Sequence, residues 1–100
     1  MATEYEVGEH KMDGGELDTF YKLFWFGSQD DGDLPAKSGM AGLIQKGLAV
    51  KNYTLPKIIH YEKPNGLSVT GFELALKYYH SEYIEMRNRL REIESTSQDV

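Results

Sequence analysis

The sequence SGMAGLIQKGLAVK, residues 38–51, predicts a short helix, a helix stop and a turn of the chain back toward the core. Ser38 is a residue type that caps helix N-termini, and Gly47 is the type that ends helices in the left-handed conformation. Leu48 then begins an extended segment. One apolar face recurs at helical spacing and consists of Met40, Leu43 and Ile44. Because the two internal glycines of this helix each cost up to about 1 kcal/mol, we expect packing to hold it.

A longer amphipathic helix is predicted before this stretch, from Glu16 to Phe26. Its apolar face follows the i, i+3, i+4, i+7, i+8 pattern and consists of Leu17, Phe20, Tyr21, Phe24 and Trp25. Residues 28–35 are rich in turn-forming residues and predict a loop with at most one helical turn near Pro35. Residues 1–14 are polar and show no periodicity, so they are predicted to be a flexible acidic arm.

A β-hairpin is predicted after residue 51. Ile58, Ile59 and Tyr61 indicate one strand, and residues 67–69 indicate the returning strand. Between them, the sequence KPNG at residues 63–66 is typical of a tight turn.

The C-terminal part predicts one long helix, from about residue 71 to residue 94. Thr70 and Glu73 match a capping box. The apolar residues that follow are spaced alternately four and three apart, as in a coiled coil, and are Phe72, Leu76, Tyr79, Tyr83, Met86, Leu90 and Ile93. We call this set the heptad seam. Residues 15–94 therefore form one predicted domain, followed by a frayed tail at residues 95–100.

Composition restricts the classes of function. The chain has 100 residues, no cysteine and a formal net charge of −5, which predicts a single small domain without disulfides or cysteine-bound zinc. No nucleophile, acid–base pair or metal-ligand cluster is apparent, so we expect neither an enzyme nor a bound metal or cofactor. The N-terminus does not resemble a secretory signal, and no apolar run could span a bilayer. A soluble, cytoplasmic protein is expected.

The charge is unevenly distributed along the chain. Residues 36–63 contain five lysines against one glutamate, whereas residues 1–35 contain nine acidic residues against two lysines. A local basic region inside an acidic chain can bind anions even when the total charge is negative, because salt screens charges that lie more than about 8 Å apart.

The order of helices, glycine stop and hairpin resembles winged helix-turn-helix proteins, in particular MarR-type regulators. The resemblance rests on LIQKGLAVK at residues 43–51 and on LSVTGFELA at residues 67–75, and it spans residues 16–90. It implies an α+β, mostly α fold with a hairpin wing. Only about 20 residues separate Phe26 from Gly47, so the helix that normally precedes the recognition helix is reduced to one turn or missing. Residues 32–39 are also similar to small phage and prophage proteins.

The resemblance implies binding of double-stranded DNA and regulation of transcription. Four candidate DNA contacts then fall on or beside the recognition helix, Lys37, Ser38, Gln45 and Lys46. Four more fall on the wing, Lys57, His60, Lys63 and Asn65. The alternative is a winged-helix scaffold that binds a protein, as a phage-type inhibitor of a host protein would, without binding DNA.

The heptad seam predicts a homodimer. Its first part, Phe72, Leu76 and Tyr79, is expected to pack on the first helix of its own domain. The later part, Tyr83, Met86, Leu90 and Ile93, is expected to pair two copies in parallel. In that arrangement Glu82 faces Arg87 of the second copy, and Arg89 faces Glu94 of the second copy; both pairs are attractive.

Overall fold

The computed structural model describes residues 3–52 and 63–98 and shows an α+β, mostly helical protein, as the sequence predicts. Four α-helices and two antiparallel hairpins form this part of the chain. In chain order they are β1 (Glu4–Val7), β2 (His10–Asp13), α1 (Gly14–Trp25), a 3-10 turn (Asp31–Asp33), α2 (Lys37–Gln45), β3 (Ala49–Lys51), β4 (Asn65–Leu67), α3 (Val69–Tyr78) and α4 (His80–Gln98). Between α1 and α2 the chain forms the 3-10 turn and no α-helix.

The prediction that residues 1–14 lack regular structure is wrong. β1 pairs with β2 across a two-residue loop, in which Gly8 has a φ of 63°. Val7 and Met12 lie on the same side of this hairpin and are fully buried in the core. Tyr5 lies on the same side but is 42% exposed, and the other strand positions are polar or charged, so the period-2 pattern of a strand was too weak to detect in the sequence.

Helix α1 begins two residues earlier than predicted because a capping box starts it. The Asp13 carboxylate accepts a hydrogen bond from the backbone N–H of Glu16 (2.8 Å), and the Glu16 carboxylate accepts one from the N–H of Asp13 (3.1 Å). The helix ends at Trp25, and its buried side includes Phe20 and Leu23.

Helix α2 ends as predicted but begins differently. Gly47 has a φ of 76°, the left-handed conformation expected of it. Ser38 is not the N-cap, because the helix starts at Lys37 after Ala36, which makes no side-chain capping bond. α2 packs closely on α1: a Cβ at Gly39 would lie 2.3 Å from the carbonyl oxygen of Gly15. A glycine that is costly for helix formation is therefore required for the helix–helix contact.

The second hairpin differs from the predicted one. β3 pairs with β4 in the register Ala49↔Leu67, Val50↔Gly66 and Lys51↔Asn65, and Gln29 adds a further bridge to Asn65. Asn65 and Gly66 therefore belong to a strand, and the prediction that they form a turn is wrong. The predicted strand at residues 58–61 lies outside the described residues.

The predicted long C-terminal helix is interrupted at Tyr79, where φ is −96° and ψ is 13°. It begins at Val69, and Ser68 is its N-cap, with Oγ accepting a hydrogen bond from the N–H of Gly71 (3.0 Å). The predicted cap at Thr70 is therefore wrong. At this interruption the ring of Tyr79 is buried against α1, and the chain continues from there into α4.

The core lies between α1, α2, α3 and the two hairpins. Its buried apolar residues are Val7, Met12, Phe20, Leu23, Met40, Leu43, Leu48, Ala49, Leu67, Ala75 and Tyr79. None of them belongs to α4, whose principal neighbour among the described elements is α3. No helix in the described part of the chain is both long and apolar enough to cross a membrane.

Candidate interaction surfaces

One exposed face of α2 brings together three of the predicted DNA contacts. Lys37, Ser38 and Gln45 are all exposed there, on the side of α2 that also exposes Ala41 and Ile44. Ala41, near the middle of this face, has a small side chain, so a partner can approach the helix closely there.

Lys46, a fourth predicted DNA contact, forms an ion pair within the protein. Its ammonium group contacts the Glu16 carboxylate, which is only 8% exposed. Gly42 leaves the space for that carboxylate, since a Cβ there would lie 2.5 Å from Glu16 Oε2. Removing one partner of such a pair leaves a poorly solvated charge. Lys46 therefore joins α1 to α2 and is not free to bind a phosphate.

The prediction that Asn65 contacts DNA is wrong, because Asn65 is fully buried. Its Nδ2 donates to the carbonyl oxygen of Gln29 (2.9 Å) and to Asp31 Oδ1 (2.8 Å). The same Asp31 oxygen accepts a hydrogen bond from Lys51 Nζ (2.7 Å). Asp31 therefore ties the 3-10 turn to both strands of the second hairpin.

The remaining wing residues are only partly described. The backbone N–H of Lys63 donates to Ser28 Oγ (3.3 Å). Lys57 and His60 lie outside the described residues.

The surroundings of α2 carry both signs of charge. The 3-10 turn and its N-cap contribute Asp30, Asp31 and Asp33 beside the two lysines Lys37 and Lys51. A groove of about 270 Å³ lies between this turn, α2 and β3. Its apolar lining comes from Leu34, Met40, Ala41 and Ile44.

Asp31 makes the stability of this region dependent on pH. The hydrogen bonds from Lys51 and Asn65 hold the pKa of its carboxyl below the ordinary value of 3.8. A lowered pKa means that the stabilisation is complete above the ordinary value and is lost as the pH falls through the lowered one. We expect the free energy of unfolding to fall less steeply with acidification below pH 3.8 in Asp31→Asn than in the parent.

The control for this prediction is Asp30→Asn, because Asp30 is the adjacent acid and its side chain makes no capping hydrogen bond. Urea unfolding measured across the acid range should give Asp30→Asn the slope of the parent protein. Equal slopes for the parent and Asp31→Asn would contradict the assigned role of Asp31.

A second surface consists of the later part of the heptad seam. Tyr83, Met86, Leu90 and Ile93, which we call the α4 seam, are 47%, 41%, 54% and 61% exposed. The four charged residues predicted to flank it are also exposed, and they are Glu82, Arg87, Arg89 and Glu94. Arg89 contacts Glu85 one turn earlier on the same helix (2.8 Å). The structure thus places all eight predicted dimerisation residues on α4.

The residues in the first part of the heptad seam differ in how far they are buried. Tyr79 packs on α1 as predicted, stacked on Phe24 at a ring-centroid distance of 5.5 Å and edge-on to Tyr21 at 5.6 Å. Its burial raises the pKa of the phenol well above the ordinary value. Phe72 also contacts α1, with its ring 5.9 Å from that of Phe24, but Phe72 and Leu76 remain about half exposed, so α1 covers them only in part.

Comparison with other proteins provides no family assignment. No protein-family model matches this chain, and neither does any curated protein or solved structure.

Proposed function

We propose that this protein is a homodimeric interaction module, in which α4 joins two copies and each body presents its α2 face to a partner protein. The supporting observation is the α4 seam. Four apolar side chains at heptad spacing lie exposed on a helix that supplies none of the buried core residues in the described part of the chain. Such a stripe is typical of a helix that buries its apolar side against another helix.

The charges that flank the seam favour a parallel pair. In the antiparallel alignment that pairs the full length of α4, Met86 meets Leu90 of the second copy. Arg87 and Arg89 then each face their own counterpart, which is repulsive. The parallel alignment instead places Arg87 opposite Glu82 and Arg89 opposite Glu94. Exposed pairs contribute only about 0.2–1 kcal/mol each, so they select the orientation while the apolar seam supplies the affinity.

The mixed charge around α2 favours a protein as the partner of the body. Lys46 and Lys51 are each held by a carboxylate, and the 3-10 turn adds further acidic groups. DNA affinity comes largely from cations that replace the counterions of phosphates, and paired lysines contribute little to it. A protein surface can complement both charges and place an apolar side chain in the groove beside Ile44.

Double-stranded DNA is the second candidate partner, and one specific observation favours it. Lys37, Ser38 and Gln45 share the exposed face of α2, and the elements from α1 to β4 follow the order of a winged-helix domain with a reduced second helix. In that architecture, this face of α2 is the one that enters the major groove.

Sedimentation velocity tests the homodimer directly. Between about 1 μM and about 100 μM protein, which covers micromolar affinity, we expect the mass to rise from one chain of 11.4 kDa to two. A mass that stays at one chain over the whole range would overturn the proposal.

A gel mobility shift separates the two candidate partners. At ~50 mM salt, we expect no shift of duplex DNA by tens of micromolar protein, because few of the lysines that the structure describes near α2 are unpaired. A shift that Lys37→Glu abolishes would establish the DNA-binding alternative instead. Lys77→Glu is the matched control: it makes the same charge reversal on an exposed residue of α3 and should leave any specific shift unchanged.

A further inference from the structure

Three exposed apolar residues on α3 continue the heptad spacing of the α4 seam toward the N-terminus. Val69 is 75% exposed, Phe72 50% and Leu76 46%. Leu76 and Val69 lie one and two heptads before Tyr83, and Phe72 lies one heptad before Tyr79. The sequence predicted that Phe72 and Leu76 pack on the first helix, and it predicted Val69 to lie in a strand rather than in the seam.

The same residues border a groove of about 350 Å³ between α1, β4 and α3. Its principal apolar lining comes from Leu23, Phe24, Leu67, Val69 and Phe72, and none of the described residues that line it is charged. The rings of Phe24 and Phe72 lie 5.9 Å apart across it. An occupant of this groove must therefore be apolar where it makes contact.

The area that a stable dimer needs indicates what the occupant is. With about 100 Å² exposed on each of its four side chains, the α4 seam offers roughly 800 Å² for a pair of copies, the size of a weak contact. Adding Val69, Phe72 and Leu76 from both copies brings the total to roughly 1,400 Å², within the range of stable interfaces.

We infer that a second copy of this chain covers α3 as well as α4, in a parallel, in-register interface that runs from Val69 to Ile93 and closes the groove beside Phe72. This inference rests on the proposed homodimer. Two-fold symmetry brings Val69, Phe72 and Leu76 against the same residues of the second copy. Tyr79, which lies between Leu76 and Tyr83 in the heptad seam, remains packed on α1 of its own chain. The dimer therefore joins the bodies as well as the α4 helices, which fixes the angle between them.

Cysteine cross-linking tests this arrangement, because the native chain contains no cysteine to confuse the result. Two single-cysteine variants, Leu76→Cys and Leu90→Cys, replace equivalent heptad positions on α3 and α4. Parallel in-register helices bring such positions within the Cα separation of about 4.4–6.8 Å that a disulfide requires. We expect both variants to form covalent dimers under mild oxidation.

Lys77→Cys is the control, since it is exposed on α3 next to Leu76 but lies off the seam. It should remain monomeric on a non-reducing gel. If Leu90→Cys cross-links and Leu76→Cys does not, the extension along α3 is overturned while the homodimer through α4 stands. If neither cross-links and the parent protein sediments as one chain, both are overturned.

A second variant measures the contribution of Val69 without relying on cross-linking. Val69→Glu should raise the dissociation constant of the dimer at least about tenfold, because each dimer would bury two new carboxylates. Thr70→Glu introduces the same charge on the adjacent exposed residue and should leave the dissociation constant within about threefold of the parent. Equal dissociation constants for the parent and Val69→Glu would overturn the extension.

Discussion

Gly71→Ala is expected to destabilise the protein by about 3 kcal/mol or more, at the upper end of what an added methyl group costs in a packed interior. The Cβ of the alanine would lie 1.9 Å from the backbone carbonyl oxygen of Leu48. Backbone cannot move aside as a flexible side chain can, so α3 would have to shift away from the segment that connects α2 to β3. The packing of Ala75 and Tyr79 on the core depends on the same helix.

Urea unfolding at one fixed protein concentration measures this effect, and Gly14→Ala is the matched control. Gly14 is also the first-turn residue of a helix, and a Cβ there would have no atom within 4 Å. Alanine at that position should change the free energy of unfolding by less than about 1 kcal/mol. If the two variants had similar stability, the close contact between α3 and Leu48 would be contradicted.

Leu90→Glu is expected to convert the homodimer into a monomer without unfolding the chain. In the pair, the two new carboxylates would lie opposite each other in an apolar seam, and burying like charges there costs several kcal/mol. In the monomer, Leu90 is 54% exposed and belongs to a helix outside the core, so its loss costs the folded body little. A loss of about 4 kcal/mol in the free energy of association would raise a micromolar dissociation constant to about the millimolar range.

Sedimentation velocity and circular dichroism together test this prediction. The variant should sediment as one chain at a concentration at which the parent protein is a pair, and its helical signal should match that of the parent monomer. Asn88→Glu places the same residue on the opposite face of α4, where Asn88 is exposed, and should keep the pair intact. A Leu90→Glu protein that still pairs like the parent would show that α4 is not the interface.

Helical periodicity allowed much of the fold to be predicted from the sequence. The apolar face of α1 and the glycine that ends α2 are local features, so their positions follow from residues a few places apart. The heptad spacing likewise predicted that the residues of the α4 seam lie on a helix. The weak alternation of β1 and β2 hid the N-terminal hairpin. The helix interruption at Tyr79 was also missed, because it coincides with packing against α1 and with no helix-breaking residue.

Whether a candidate site residue is free to contact a partner could not be predicted in the same way. Lys46 and Asn65 belong to residue types that commonly contact DNA, and their sequence neighbours show nothing unusual. Their partners, Glu16 and Asp31, lie 30 and 34 positions away along the chain. Only the folded chain brings these groups within hydrogen-bonding distance.

The amino-acid sequence by itself determined that the chain is α+β and mostly helical, where α2 stops, and that an apolar stripe runs along one side of α4. These properties depend on backbone preferences and on side-chain spacing within a single element. The tertiary structure decided which lysines remain free, that Asn65 is buried, and that Val69, Phe72 and Leu76 stay exposed. Those outcomes depend on which elements pack together, because burial and ion pairing are set by neighbours that are close in space but distant in the chain.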